Sequence, residues 1–113
     1  MTTDKTGAPT DVAQESDRFS ISVDGKKAGF TEYVDFGDHR NQRIFPHTEI
    51  DDAFGGRGLA TILVGEALEA TRTAGLRIVP VCEMVAGFID KHPEFKDVVD
   101  PVTADVEQLV SNR

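Results

Sequence analysis

From Arg18 onward hydrophobic and polar residues alternate, with Phe19, Ile21 and Val23 separated by Ser20, Ser22 and Asp24. A period of two is that of a strand with one buried face. Asp24-Gly25 supplies a hairpin turn, and a second strand is predicted from Lys26 to about Asp35. Gly37-Asp38 marks the next turn, and a third strand is predicted from about Gln42 to Ile50. Alternation along it places Ile44, Pro46, Thr48 and Ile50 on one side, and Phe45, His47 and Glu49 on the other. Pro46 has no amide to donate, which predicts an edge position or a bulge.

The period changes at Leu59. At about 100° per residue, Leu59, Ala60, Leu63, Val64, Ala67, Leu68, Ala70 and Ala74 share one wide arc and only Ile62 breaks the pattern, which predicts a helix from Leu59 to Ala74. Gly75 then stands where a helix end favours a residue free to adopt positive φ. The β-branched run Leu76 to Val81 predicts a strand. A second helix is expected from Glu83 to about Lys91, because His92 precedes Pro93 and is steered away from helical geometry. Val106, Leu109 and Val110 suggest a short helix or tail over 101–113. Residues 1–16 are polar and lack a hydrophobic period, so they are expected to form a disordered tail. The domain is expected to span 17–100, and its order of strands, helix, strand and helix implies an α+β fold.

With 113 residues, 39% of them hydrophobic, the chain can build one compact core and not two. Its formal net charge of -8 argues against broad nucleic-acid binding, which needs cations to displace counterions, and favours a cationic substrate or partner. Cys82 is the only cysteine, so no internal disulfide can form. No secretion signal and no apolar run approaching the roughly 20 residues of a membrane span is present, so a cytoplasmic setting is expected.

Candidate chemistry gathers at Phe54-Gly55-Gly56-Arg57-Gly58-Leu59-Ala60. Gly55, Gly56 and Gly58 let the backbone approach a ligand closely, and the first turn of the following helix has amides with no internal acceptor. With the helix dipole behind them, such amides hold anions. The same residues superficially mimic a dinucleotide fingerprint, but its third glycine is missing, and the lysine of a nucleoside-triphosphate loop is absent as well.

Taken together, the β-hairpin meander, the strand ending in Glu49-Ile50-Asp51, the glycine loop, Val79-Pro80-Val81-Cys82 and Phe88-Ile89-Asp90-Lys91-His92-Pro93-Glu94-Phe95 resemble the GNAT superfamily of acyl-CoA-dependent N-acetyltransferases, in its small single-domain branch. The likeness runs from about Arg18 to Val99. It implies a GNAT-like mixed, mostly antiparallel sheet flanked by helices. It also implies acetyl-CoA as co-substrate and no metal, with Gly55, Gly56, Arg57, Gly58, Leu59 and Ala60 holding the pyrophosphate and Ile50 beside them. Glu49 or His47 would manage the proton of an amine, and Cys82 would line the acyl site as a third catalytic candidate, with direct transfer or an acetyl-cysteine intermediate both open. The acceptor would be a small amine, a polyamine or a protein lysine. Two positions depart from the superfamily pattern: Gly55 stands where Gln or Arg is usual, and Ile89 stands where many members carry the tyrosine that protonates the leaving thiolate. These departures leave a second reading, a non-catalytic coenzyme A-binding or protein-interaction module.

Overall fold

The computed structural model describes residues 2–36 and 41–111, so the turn predicted at Gly37-Asp38 lies outside the described residues. In chain order the strands are β1 (Thr2–Thr3), β2 (Pro9–Gln14), β3 (Arg18–Val23), β4 (Lys26–Glu32), β5 (Val34–Phe36), β6 (Gln42–Ile44), β7 (Thr48–Ile50) and β8 (Arg77–Val79). The helices are α1 (Leu59–Thr73), α2 (Glu83–Lys91) and α3 (Ala104–Ser111), with 3-10 segments at Asp52–Phe54 and Pro93–Val98. One ladder runs β1-β2-β3-β4-β7 and is antiparallel throughout; the other runs β5-β6-β8, with β6 and β8 parallel. The result is the expected α+β arrangement of a mixed, mostly antiparallel sheet with helices packed on it.

Two predicted strands are each cut in half. The second breaks after Glu32, and the third breaks across Phe45, Pro46 and His47. On one side of Pro46, the Phe45 amide donates to the Val79 carbonyl (3.0 Å); on the other, the Glu32 amide donates to the His47 carbonyl (2.8 Å). The chain therefore changes hydrogen-bonding partner at the residue that cannot donate. The irregularity also shifts the alternation. Phe45 is fully buried in the main core with Phe19, Ile21 and Leu63, rather than sharing a face with His47 and Glu49 as its position predicts. Ile44 turns instead to a smaller cluster with Val79 and Val106, which seats α3.

Helix α1 buries Leu59, Leu63, Val64, Ala67 and Leu68 against β3, β4 and β8. It ends as predicted, with Gly75 at φ +77° and its amide donating to the Arg72 carbonyl (3.0 Å). Thr71, also on the buried face, is fully enclosed and satisfies its hydroxyl on the Ala67 carbonyl (2.8 Å).

The expectation of a disordered tail over 1–16 is corrected. Pro9–Gln14 pair with β3 from Thr10 opposite Val23 to Gln14 opposite Phe19. Thr10 is buried and Val12 packs on the core, two inward positions that are too few to register as a hydrophobic period. Backbone pairing along the β3 edge supplies what the side chains lack. Tyr33, the only tyrosine, is buried and donates its hydroxyl to the Glu15 carbonyl, fastening this segment to the body of the domain. Nearer the terminus, the Asp4 carboxylate accepts from the Thr6 hydroxyl (2.6 Å) and from the Thr6 and Ala8 amides (2.8 and 3.0 Å). The Thr6 hydroxyl first, then those amides and the nearby Arg57, hold its pKa below the usual carboxylate value, against an opposing effect of burial.

Two outcomes follow for stability. A Cβ on Gly29 would lie 2.5 Å from the Glu49 carbonyl oxygen and 2.6 Å from Ile50 Cδ1, so Gly29→Ala forces β7 away from β4 and is expected to cost about 1–3 kcal/mol in urea unfolding. Because the Asp4 pKa is depressed in the folded state, its contribution is fully present above about pH 4 and is lost as pH falls through the lowered value. Melting curves between pH 7 and pH 2.5 should show Asp4→Asn less stable than the parent at neutral pH, with the gap closing at the acid end.

Candidate functional site

Where β6 hands over to β7, the two ladders part. The Cys82 amide donates to the Phe45 carbonyl (2.8 Å), which keeps the start of α2 against the last residue that still pairs with β8. Beyond Pro46, β7 is the last strand of its own ladder. Between β7 and the start of α2 lies a wedge. At its apex the Cys82 thiol donates to the Thr48 hydroxyl (3.4 Å). Cys82 is half-buried and is the N-cap residue of α2.

The outer edge of β7 faces this wedge. Glu49 is paired opposite Phe30, the Asp51 amide donates to the Ala28 carbonyl (2.7 Å), and the His47 carbonyl accepts from Glu32. Antiparallel alternation therefore turns the amides and carbonyls of Thr48 and Ile50 away from β4, toward the open side. Ile50 thus offers backbone groups to the wedge while its side chain packs against the core.

After β7 the chain makes a tight turn. The Asp51 carboxylate caps the 3-10 segment by accepting from the Ala53 amide (2.9 Å), and the Gly55 amide donates to the Asp52 carbonyl (3.2 Å). The Gly55 amide is thus committed within the turn. Gly56 and Gly58 both sit at φ +77°, a conformation that glycine adopts without strain. Gly58 is the N-cap of α1, and its carbonyl receives the first helical bond, from Ile62 (3.3 Å). The amides of Leu59, Ala60 and Thr61 therefore have no intrahelical acceptor. The Leu59 side chain is buried in the core, so only its backbone can serve a ligand.

The N-terminal segment reaches this loop. The Lys5 amide donates to the Arg57 carbonyl (3.0 Å), and the Lys5 side chain lies over Gly58, its Cε 3.2 Å from where a Cβ would stand. The Arg57 guanidinium lies 3.5 Å from the buried Asp4 carboxylate and over the Phe54 ring, 5.2 Å from its centroid. Lys5 and Asp4 were invisible to sequence reasoning, because their segment has no periodicity to place it.

Two grooves open near the wedge. The smaller, about 220 Å³, lies between the first turn of α1, at Ala60 and Thr61, and the face of α2 carrying Glu83, Met84, Gly87, Phe88 and Lys91. Helical spacing of Met84, Val85, Phe88 and Ile89 predicts four core positions; Val85 and Ile89 are buried as expected, whereas Met84 is exposed and, with Phe88, lines the groove. His92, at the helix end, stacks on Phe88 with ring centroids 4.1 Å apart. The larger groove, about 500 Å³, lies on the outer side of β3, β4 and β7, among Arg18, Lys27, Phe30, Glu49, Asp51 and Asp52.

His47 and Glu49 share this outer face as alternation predicts, with His47 Nε2 3.9 Å from Glu49 Oε1 and its ring beside Phe30. Both are largely exposed. The structure thus brings His47 together with Glu49, and Cys82 together with Thr48, on opposite sides of β7. The cations bordering the larger groove are partly matched: Lys27 pairs with Glu15, and Arg18 with Asp17 and Glu32. Glu49, Asp51 and Asp52 leave the end next to β7 acidic. Among the described residues no cluster of three or more His, Cys, Asp or Glu side chains could hold a metal ion, and no helix is long and apolar enough to cross a membrane.

This architecture has known counterparts. A GCN5-like protein from Staphylococcus aureus, solved by NMR, superposes with a TM-score of 0.61 at 23% identity, over 83% of this chain and 91% of that one. An aminoglycoside acetyltransferase from an uncultured soil metagenomic sample, solved in complex with trehalose and with sisomicin, matches at a TM-score of 0.50 and 11% identity, over 74% of this chain and 59% of that one. At such identities the likeness is one of fold. No curated protein matches this chain in sequence. The family model for GCN5-related N-acetyltransferases matches residues 18–98, which takes in the meander, the wedge, the glycine loop and both helices that border the smaller groove. The chain belongs to the GCN5-related N-acetyltransferase family.

Proposed function

We propose that this protein transfers an acetyl group from acetyl-CoA to a primary amine. The observation that carries the reading is the wedge: a free strand edge at Thr48 and Ile50, an adjoining helix start with unpaired amides, and a thiol and a hydroxyl at the apex. Those are the features that a pantetheine thioester calls for. Its amides extend a strand edge, its diphosphate takes main-chain donors, and its acyl end occupies the apex.

In this reading the amides of Leu59, Ala60 and Thr61 receive the diphosphate, with Gly56, Arg57 and Gly58 shaping the turn around it. Gly55 acts through the turn it closes. The backbone of Ile50 and Thr48 aligns the arm. The acceptor enters from the acidic outer groove, where Glu49, Asp51 and Asp52 attract a cationic amine, either a small amine or polyamine or the lysine of a protein. An aminoglycoside acetyltransferase with the same fold, solved with sisomicin, supports an amine as acceptor.

The chemistry balances with the residues in hand. An alkylammonium loses a proton to Glu49 relayed by water around the β7 edge, since Glu49 and His47 lie on the face of β7 opposite the apex, and the freed nitrogen attacks the thioester carbonyl. A C–N bond forms, the C–S bond breaks, the nitrogen gives up its second proton to solvent, and sulfur leaves as coenzyme A thiolate. Cys82 lines the acyl position, in contact with the Thr48 hydroxyl and next to the departing sulfur. Tyr33 is tied to Glu15 and takes no part. Transfer is direct, since His47 lies across β7 from Cys82 and its contacts are with Glu49 and Phe30. A reducing cytoplasm suits a half-buried thiol at such a position.

The test is coenzyme A release from acetyl-CoA with a panel of amines, including spermidine, sisomicin and a lysine peptide, alongside ¹H-¹⁵N shifts on addition of coenzyme A. Glu49→Gln is expected to lower kcat at least 100-fold without changing coenzyme A affinity. Cys82→Ala is expected to cost about tenfold or less, and intact mass should reveal no acetyl adduct on the parent. Coenzyme A binding without turnover of any amine would favour the binding-module reading, and no binding at millimolar ligand would overturn the proposal.

A further inference from the structure

Two glycines lie inside the described helices, and only one has a reason within the fold. At Gly65 of α1 a Cβ would meet Phe88 Cζ at 3.3 Å and Cε2 at 3.6 Å, so its absence lets α2 pack closely. At Gly87, in the middle of α2, a Cβ would meet no heavy atom within 4 Å. Its φ is not positive either. A glycine in a helix interior weakens the helix relative to alanine. Among the described residues, neither backbone conformation nor packing offsets that loss. What Gly87 does have is a position on the wall of the smaller groove, facing the first turn of α1 across about 220 Å³ of open space.

That groove is chemically graded. At its near end are Glu83 and Met84, directly after Cys82 at the wedge apex. At its far end, beyond Gly87, are Lys91 and His92. The apolar Met84 and the bare backbone of Gly87 suit an uncharged, extended chain, and the amides of Ala60 and Thr61 across the groove suit the diphosphate at its end. We propose that Gly87 is the clearance point at which the pantetheine arm of acyl-CoA crosses α2 on its way to Cys82, pressing against the helix where a methyl group would stand. This rests on the coenzyme A reading above and adds to it a residue that sets how deeply the arm is seated.

The test separates stability from binding. Gly87→Ala should raise Tm by about 4 °C, from better helix propensity, yet weaken coenzyme A binding about tenfold by calorimetry. Affinity for 3′,5′-ADP, which lacks the pantetheine arm, should stay unchanged. Gly87→Ser, with a side chain of similar size, should show the same loss of coenzyme A affinity. Asp90→Ala, an exposed position on the same helix outside the groove, should shift Tm and leave both affinities alone. A Gly87→Ala protein that binds coenzyme A as tightly as the parent overturns the inference while the proposed function stands. Equal weakening toward 3′,5′-ADP overturns the pantetheine assignment. A parent protein that binds no coenzyme A overturns the proposed function and this inference with it.

Discussion

The candidate site depends on one change of hydrogen-bonding partner in the backbone. Phe45 still belongs to β8 and to the start of α2, His47 already belongs to β4, and Pro46 between them has no amide to give. A regular strand through this point would place its next ladder bonds on β8, closing the wedge. The interruption instead leaves Thr48 and Ile50 with an edge to offer and brings Cys82 to the apex. Burial of Phe45 in the main core fixes the position of the break, because moving it by one residue would pull a full aromatic side chain out of that core.

The other parts of the site are arranged around that break by ordinary packing. Gly29 lets β7 lie close against β4, and α1 is held in place by Leu59, Leu63 and Val64, so the helix start that carries the free amides is anchored by its own first buried residue. Gly65 and Phe88 bring α2 down onto α1. The groove between the two helices is thus bounded by a tight contact on one side and opens at a bare helical position on the other. Rigid elements position the polar groups, and little of the arrangement relies on long loops.

Much of this was legible in the sequence. Alternation at Phe19, Ile21 and Val23 and the α1 arc with its Gly75 stop each rest on burial of one face, and burial writes a period into the chain. So does the seating of α3 through Val106. The N-terminal strand left no such trace, because β2 is held by backbone pairing and only Thr10 and Val12 face inward. The phase of Phe45 was misread because alternation assumes an unbroken strand. In the site, the glycine loop and the shared face of His47 and Glu49 were visible as motif and period. Thr48, Thr61 and Gly87 were not, since their interest lies in what stands across from them, and one chain read in order does not contain that distance.

The Asp4 carboxylate beside Arg57 has a consequence for selectivity. The guanidinium at the glycine loop already has an anionic partner supplied by the chain itself, buried and held by the Thr6 and Ala8 amides. A free inorganic anion arriving at the loop gains little from Arg57, because it must compete with a tethered rival present at high effective concentration. A ligand with many other points of attachment can meet that competition, and a lone phosphate or sulfate cannot. If the loop holds the diphosphate as proposed, the internal carboxylate is a built-in counter-ion that reserves the loop for large, multiply anchored anions.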